Sequence, residues 1–175
     1  MGTLRRATVD DAAELTRLRG LMHEAMGGPA GDVLWRERCT AAFARRLAGS
    51  DFVGLVVDNG DRLVACGVGW LEEHLPSPQQ HDPRRGHIAS MSTEPAAQRQ
   101  GHARRIFAAL MEWFAEQGVP RVDLRATGDG RPLYESFGFR VLGGATMAWT
   151  APGVQPGMPG AAEAPRPADR AASER

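Results

Sequence analysis

The chain has 175 residues, a mass of 18.9 kDa, and equal numbers of basic and acidic residues, 21 of each. This length suits one domain, and the zero net charge gives no general electrostatic reason to bind nucleic acid or an anionic membrane. Every one of the 21 basic residues is arginine. Enzymes that form a Schiff base on lysine and P-loop nucleotide hydrolases are therefore excluded.

The first half of the chain predicts short strands around two helices. Thr8 or Asp10 can cap the first helix, whose apolar residues recur at helical spacing. Asn59 and Gly60 lie between two apolar runs and favour a hairpin turn, because both residues tolerate a positive φ. The predicted elements are a strand over 3–7, a helix ending at Gly27, a helix over 32–48, and strands over 52–57 and 62–70.

In the second half, the segment Leu71–Gly86 is polar and predicts a loop, either the rim of a substrate site or a variable surface loop. An apolar stripe makes Ala103–Gly118 the clearest helix in the chain. The order β-α-α-β-β-β-α-β-α-β predicts a mixed α/β layer fold. Its remaining elements are strands over 87–93 and 121–126, a short helix over 132–137, and closing strands around 139–142 and 147–150.

The last 25 residues, 151–175, include seven Ala, five Pro and three Gly. This composition buries too little apolar surface to offset the entropy of ordering, so we predict a flexible tail after a domain over residues 1–150. The N-terminal segment lacks the apolar stretch of a signal peptide, and no segment is apolar enough to span a membrane. Cys39 and Cys66 have no metal-binding spacing. We expect a soluble cytoplasmic protein without a metal.

The segment between the strand at 87–93 and the long helix could bind an anion. Gly101 permits a backbone turn that a side chain would block, and the first turn of the helix has free N–H groups at its positive end. Arg99, Arg104 and Arg105 crowd the same place. Together these features predict a site of pyrophosphate size. The alternative is an ordinary strand-to-helix turn with solvated arginines.

Two motifs in these segments resemble the GCN5-related N-acetyltransferases, the GNAT family. Gln98-x-x-Gly101-x-Ala103 fits the family's [Q/R]-x-x-G-x-[G/A] motif. The later segment GRPLYESFGF, 130–139, is similar to the family's short helix that carries a tyrosine before a Gly-Phe step. The resemblance covers roughly residues 3–150 and implies a GNAT-like α/β fold, with a mixed, mostly antiparallel central sheet flanked by helices.

The resemblance implies an N-acetyltransferase that moves an acetyl group from acetyl-CoA to a primary amine, by direct attack through a tetrahedral intermediate. Tyr134 would protonate the departing thiolate, and the backbone N–H of Met91 would hold the oxyanion. The backbone of Met91 and Thr93 would hydrogen-bond the pantetheine arm, much as one strand pairs with another. The residues implied to bind acetyl-CoA are Met91, Ser92, Thr93, Gln98, Arg99, Gln100, Gly101, His102, Ala103 and Arg104.

The resemblance leaves the general base open among Glu72, Glu73, His87 and Glu24. If the strand continues that far, alternation places Glu72 and Glu73 on opposite faces. A small amine, an amino acid, an antibiotic amine and a protein N-terminus all fit the fold as acceptors, and this acidic pair favours a cationic small molecule. All four tryptophans are expected in the core, although Trp35 could instead line an acceptor pocket beside the first two helices.

Two alternatives to an enzyme stay open. The domain could be a non-catalytic sensor that binds acetyl-CoA, or an interaction protein that recruits a partner through its tail. The family often forms homodimers, so a homodimer is possible. Many members also carry an asparagine late in the strand before the tyrosine helix, and here only Thr127 or Asp129 could replace it.

Overall fold

The computed structural model describes residues 2–143, 147 and 149–152. The chain divides into two compact units, Met1–Arg125 and Ala126–Arg175. The predicted domain over residues 1–150 stays a prediction. Most of the predicted tail, residues 153–175, lies outside the described residues.

The first unit is built on a five-stranded sheet in the order β1-β2-β3-β4-β5. Neighbouring strands from β1 to β4 are antiparallel, and β5 pairs in parallel with β4. This mixed, mostly antiparallel sheet confirms the predicted fold class. The strands are β1 (Thr3–Arg6), β2 (Phe52–Asp58), β3 (Leu63–Glu73), β4 (Arg84–Thr93) and β5 (Val122–Leu124).

Three helices belong to the first unit: α1 (Ala12–Ala25), α2 (Val33–Leu47) and α3 (His102–Glu116). A short 3₁₀ turn precedes α1, and the Thr8 N–H at its start donates to the Asp11 carboxylate over 2.7 Å. The Asp32 carboxylate caps α2 by accepting from the Leu34 N–H over 2.9 Å. Gly27 follows α1 with a φ of +78°, as expected for a glycine that ends a helix.

The two faces of the sheet are covered by different helices. On one face, α1 and α2 pack over a core cluster that includes Leu15, Leu18, Phe43 and Val56. On the other face, α3 lies close to the backbone, because glycines on β3 and β4 leave room for its side chains. A Cβ atom added to Gly86 would lie 2.4 Å from the Phe114 ring.

The predicted loop over 71–86 is wrong at both ends. Strand β3 continues to Glu73 and β4 begins at Arg84, so the connection is only 74–83. Within the extension Glu72 is opposite Arg85, and Glu73 is opposite Arg84. Opposite charges on neighbouring strands stabilise the hairpin, while in the sequence the same polar residues favour a loop.

The second unit contains α4 (Arg131–Glu135), in the place predicted for the short helix. The closing strand predicted over 139–142 is wrong, since these residues form no strand. Val141 and Leu142 are exposed and offer no buried face to pair and pack. The strand predicted around 147–150 lies partly outside the described residues. Trp149 is 83% exposed, so the expected core position is wrong for this tryptophan.

No helix in the described ranges is both long and apolar enough to cross a membrane.

Candidate active site

Strand β4 loses its partner on one side halfway along its length. Strand β5 pairs with β4 only at Gly86, His87 and Ile88. From Ala89 to Thr93, no strand in the described part of the chain pairs with this edge. An extended ligand can hydrogen-bond to such an edge in the way that an added strand does.

A bulge interrupts β4 at the start of this open edge. Ser90 and Met91 on β4 lie opposite Gly67 alone on β3. Ser90 has a φ of +53°, an uncommon value for a residue with a side chain. An extra residue in one strand twists the backbone and redirects its polar groups, and bulges are common beside active sites.

Three side-chain contacts fix this bulge. The Ser92 hydroxyl donates to the Leu18 carbonyl of α1 over 2.8 Å, and the Cys66 thiol donates to the Ser90 carbonyl over 3.3 Å. The Arg19 guanidinium donates to the Ser90 hydroxyl. The strained backbone is therefore held from both α1 and β3.

The loop after β4 presents a row of backbone N–H groups. Arg99 and Gly101 have φ values of +61° and +80°. From Arg99 to Ala103, no backbone N–H donates to another of the described residues. Successive free N–H groups at the start of a 15-residue helix form a concave site for an anion.

Buried and polar contacts hold this loop in place. Glu94, at its start, is buried and accepts from Arg17 over 2.6 Å, with Arg62 at 3.5 Å. The side-chain amide of Gln100 donates to the Ala96 carbonyl over 3.3 Å, and that of Gln98 lies 3.5 Å from a strand carbonyl. Glu94 is not among the site residues predicted from the sequence, although an acid next to a proline at the strand end was a usable signal.

The residues implied to bind acetyl-CoA all lie on β4 or on the loop and first turn that follow. Arg99 and Arg104 are exposed, whereas His102 is buried, with no partner for its Nδ1 among the described residues. Arg105 donates to the Gly2 carbonyl over 3.3 Å. It therefore helps to pack the N-terminal segment.

A cavity of about 530 Å³ lies on the α2 side of the sheet. It reaches Ser90, so it ends at the bulge of β4. Trp35 is half-buried and lines this cavity. This position agrees with the acceptor pocket considered for it in place of the core. The cavity is lined by Arg19, Asp32, Leu34, Trp35, Arg38, Cys39, Ala42, Phe43, Arg46, Phe52, Val68, Trp70, Ala89 and Ser90.

Of the candidate bases, Glu72 and His87 lie next to a residue of the cavity wall. The Glu72 carboxylate accepts from the Trp70 indole over 2.7 Å and lies 3.2 Å from His74. Burial opposes ionisation of Glu72, but these hydrogen bonds outweigh it and lower its pKa. The His87 ring lies 4.4 Å from the Trp70 ring. None of the four candidate bases itself lines the cavity.

Tyr134 lies in α4 of the second unit and is buried. Burial raises the pKa of its phenol above the ordinary value of 10, so the hydroxyl keeps its proton at neutral pH. A Cβ atom on Gly130 would lie 3.0 Å from the Tyr134 ring, so this glycine leaves space for it. The Thr127 hydroxyl accepts from the Gly130 N–H over 3.3 Å and so helps to start α4.

Solved structures share this fold. A predicted acetyltransferase from Clostridium acetobutylicum, solved with acetyl-CoA, superposes with a TM-score of 0.73 at 23% identity, over 86% of this chain and 95% of that one. A GCN5-related N-acetyltransferase from Ralstonia eutropha gives 0.72 at 24% identity, over 85% and 99%. Glucosamine-6-phosphate N-acetyltransferase from Arabidopsis thaliana gives 0.68 at 17% identity, over 86% and 99%.

A search of curated proteins found no match. The model of the acetyltransferase (GNAT) family matches residues 15–139, well over half of the chain. The match includes the strand β4, its bulge and the N–H loop before α3. The chain therefore belongs to the GNAT acetyltransferase family.

Proposed function

We propose that this protein is an N-acetyltransferase that transfers the acetyl group of acetyl-CoA to a primary amine of a small molecule. One observation carries the proposal: a single continuous segment of backbone contains the bulge at Ser90, the open edge of β4 and the N–H loop before α3. An extended thioester with phosphates at its far end matches this order of sites.

The open edge and the loop would bind different parts of the acetyl-CoA molecule. The backbone of Met91, Ser92 and Thr93 would hold the pantetheine arm, as a neighbouring strand would. The N–H groups of the loop and the positive end of α3 would hold the pyrophosphate. This second group comprises Gln98, Arg99, Gln100, Gly101, His102, Ala103 and Arg104.

The acceptor amine would approach from the cavity, because the cavity ends at the bulge. The neutral amine nitrogen would bond to the acetyl carbon and lose one proton to a base, and the carbon–sulfur bond would break. The N–H of Met91 would stabilise the oxyanion that forms in between. Tyr134 would give its proton to the leaving sulfur, which its raised pKa permits at neutral pH.

Calorimetric titration of acetyl-CoA tests the cofactor site. Gly101→Glu adds a carboxylate where the pyrophosphate would lie, at a position with a φ of +80°. Gly60→Glu is the matched control, because Gly60 has a φ of +97°, equally open space and a place in the β2–β3 hairpin. We expect wild type and Gly60→Glu to bind, and Gly101→Glu to lose at least about 100-fold in affinity. No binding by wild type, or equal loss in both variants, overturns the proposal.

Tyr134→Phe separates an enzyme from an acetyl-CoA sensor. Loss of a general acid lowers kcat by about 100-fold or more, while acetyl-CoA affinity stays within about twofold. In wild type the active form is the protonated phenol, so kcat should fall only as the pH rises above about 10. That alkaline decrease should be absent from the variant. Unchanged turnover in Tyr134→Phe would remove this residue from the chemistry.

A cytoplasmic location is also proposed, and two free thiols support it, since Cys39 and Cys66 form no disulfide. The possible homodimer stays a prediction.

A further inference from the structure

The cavity beside α2 is strongly basic. Three arginines line it: Arg19 on α1, and Arg38 and Arg46 on α2. Its one acidic lining residue, Asp32, already caps the start of α2. Within the described ranges, none of the three guanidinium groups has a carboxylate within 4.0 Å. The cavity therefore concentrates positive charge that the protein itself leaves unpaired.

Aromatic rings hold one of these charges in position. The guanidinium carbon of Arg46 lies 4.8 Å from the ring centre of Phe52 and 4.8 Å from that of Trp70. The two rings are themselves stacked. Such stacking fixes the cation without neutralising it, and leaves the N–H groups at the edge of the plane for a ligand.

A second charge lies at the bulge. Arg19 donates to the Ser90 hydroxyl, at the inner end of the cavity. Arg38 and Arg46 lie on the same face of α2 as Trp35, Ala42 and Phe43, with spacings of three and four residues. The three arginines thus lie at two places in the cavity, Arg19 at the inner end beside Ser90 and the other two on the wall formed by α2.

The rest of the wall is mostly apolar. Trp35, Phe43, Phe52 and Trp70 contribute large aromatic surfaces, which favour a ligand with an apolar or aromatic body. The acids that favoured a cationic acceptor do not line the cavity. Glu72 accepts from Trp70 and His74, and Glu73 is opposite Arg84 in the β3–β4 hairpin.

We propose that the acceptor is an amine that carries an anionic group, a carboxylate or a phosphate, beside an aromatic or apolar body. This inference rests on the proposed acetyltransferase function. Arg38 and Arg46 bind the anionic group, the aromatic wall binds the body, and the amine points toward Ser90. A guanidinium fork binds carboxylates and phosphates through two parallel hydrogen bonds, so both anions share this chemistry.

Two matched pairs of amines test the proposal, with the rate of release of the CoA thiol as the measurement. Phenylalanine and phenethylamine share the ring and differ in the carboxylate, and phosphoethanolamine and ethanolamine differ in the phosphate. We expect kcat/KM to be at least about tenfold higher for the anionic member of one pair, because only that member makes charge-assisted hydrogen bonds to the guanidinium groups. The pair that responds identifies the anion. Equal rates within both pairs, or faster neutral members, overturn the proposal.

Calorimetry with the products gives a readout that does not need turnover. N-acetylphenylalanine should bind at least about tenfold more tightly than N-acetylphenethylamine, or N-acetylated phosphoethanolamine more tightly than N-acetylethanolamine. No difference within either pair, or no binding by any of the four, overturns the assignment. Acetyl-CoA titration of the same sample reports on the proposed function separately. An acceptor failure with intact acetyl-CoA binding therefore rejects only this inference.

Variants on α2 locate the anion. Arg38→Met and Arg46→Met remove one charge each and keep a long side chain, and Arg45→Met is the control on the exposed side of the same helix. We expect the cavity variants to raise KM for the anionic amine by at least about tenfold, and to leave KM for its neutral counterpart within about twofold. Equal changes for both amines would indicate a structural role only. A shift in Arg45→Met as large as in the cavity variants would contradict the proposed position.

Discussion

The two faces of one sheet differ in how they are filled. Toward α3 the sheet is closed, because its glycines lie directly under large side chains of that helix. Toward α2 the sheet leaves a cavity of about 530 Å³. The four residues 67–70 of β3, Gly-Val-Gly-Trp, contribute to both. Gly67 and Gly69 face α3, while Val68 and Trp70 line the cavity.

The comparison shows that small side chains do not by themselves make a cavity. The glycines close their face, since they allow α3 to lie near the backbone. The large aromatic residues keep the other face open, because Trp70 and Phe52 stack with Arg46 along the wall and leave the centre unfilled.

The closed face should tolerate no added volume. In Gly86→Ala the new methyl group would lie 2.4 Å from the Phe114 ring, so we expect the free energy of unfolding to fall by about 1–3 kcal/mol. Urea denaturation measures it, and Gly31→Ala, where a Cβ atom meets nothing within 4 Å, is the control. In a double variant with Phe114→Leu the loss should be smaller than the sum of the two single losses. Additive losses would show that this contact does not close the face.

The open face should accept added volume at little cost in stability. Ala42→Trp would fill part of the cavity, and we expect the free energy of unfolding to change by less than about 1 kcal/mol. Turnover of the preferred amine should fall at least about tenfold, with acetyl-CoA affinity unchanged. Ala41→Trp, on the exposed side of α2, should leave both unchanged. If Ala42→Trp kept full turnover, the cavity would not be the route of the acceptor.

The two cysteines should report a smaller contrast, between the buried core and the cavity wall on one face of the sheet. Burial raises the pKa of the Cys66 thiol to about 12, so at pH 8 only about 10⁻⁴ of it is thiolate. Cys39 is half-buried and lines the cavity. We expect a disulfide reagent to modify one thiol in the native protein and two in urea. Cys39→Ser should abolish the native reaction. Fast modification of the one remaining thiol in that variant would show that the core around Cys66 opens.

Much of the fold could be predicted from the sequence, because apolar periodicity and helix caps are local signals. The helix α2, capped by Asp32, and the hairpin at Gly60 follow from them. The start of β4 at Arg84 could not be predicted, since its stabilising partners are on the neighbouring strand. The closing strand predicted from apolar residues at 139–142 is wrong because Val141 and Leu142 are exposed and have no face to pack against.

The two halves of the candidate site differ in the same way. The N–H loop presents backbone groups and needs a positive φ at residue 101. Gly101 therefore indicates the loop in the sequence. The arginines of the cavity look like solvated surface residues until the helix is placed on the sheet. A signal did exist in α2, since residues 35, 38, 39, 42, 43 and 46 form one face with both arginines and aromatic residues.

The unpaired arginines of the cavity also affect the protonation of any amine beside them. The structure already contains one such effect, since burial and the charge of Arg19 together lower the pKa of His23. An amine held near the same guanidinium groups would lose its proton at a lower pH than in water. A bound carboxylate would balance only one of the three charges. The cavity would thus raise the share of neutral, nucleophilic amine at neutral pH by its electrostatic field, before any side chain removes a proton.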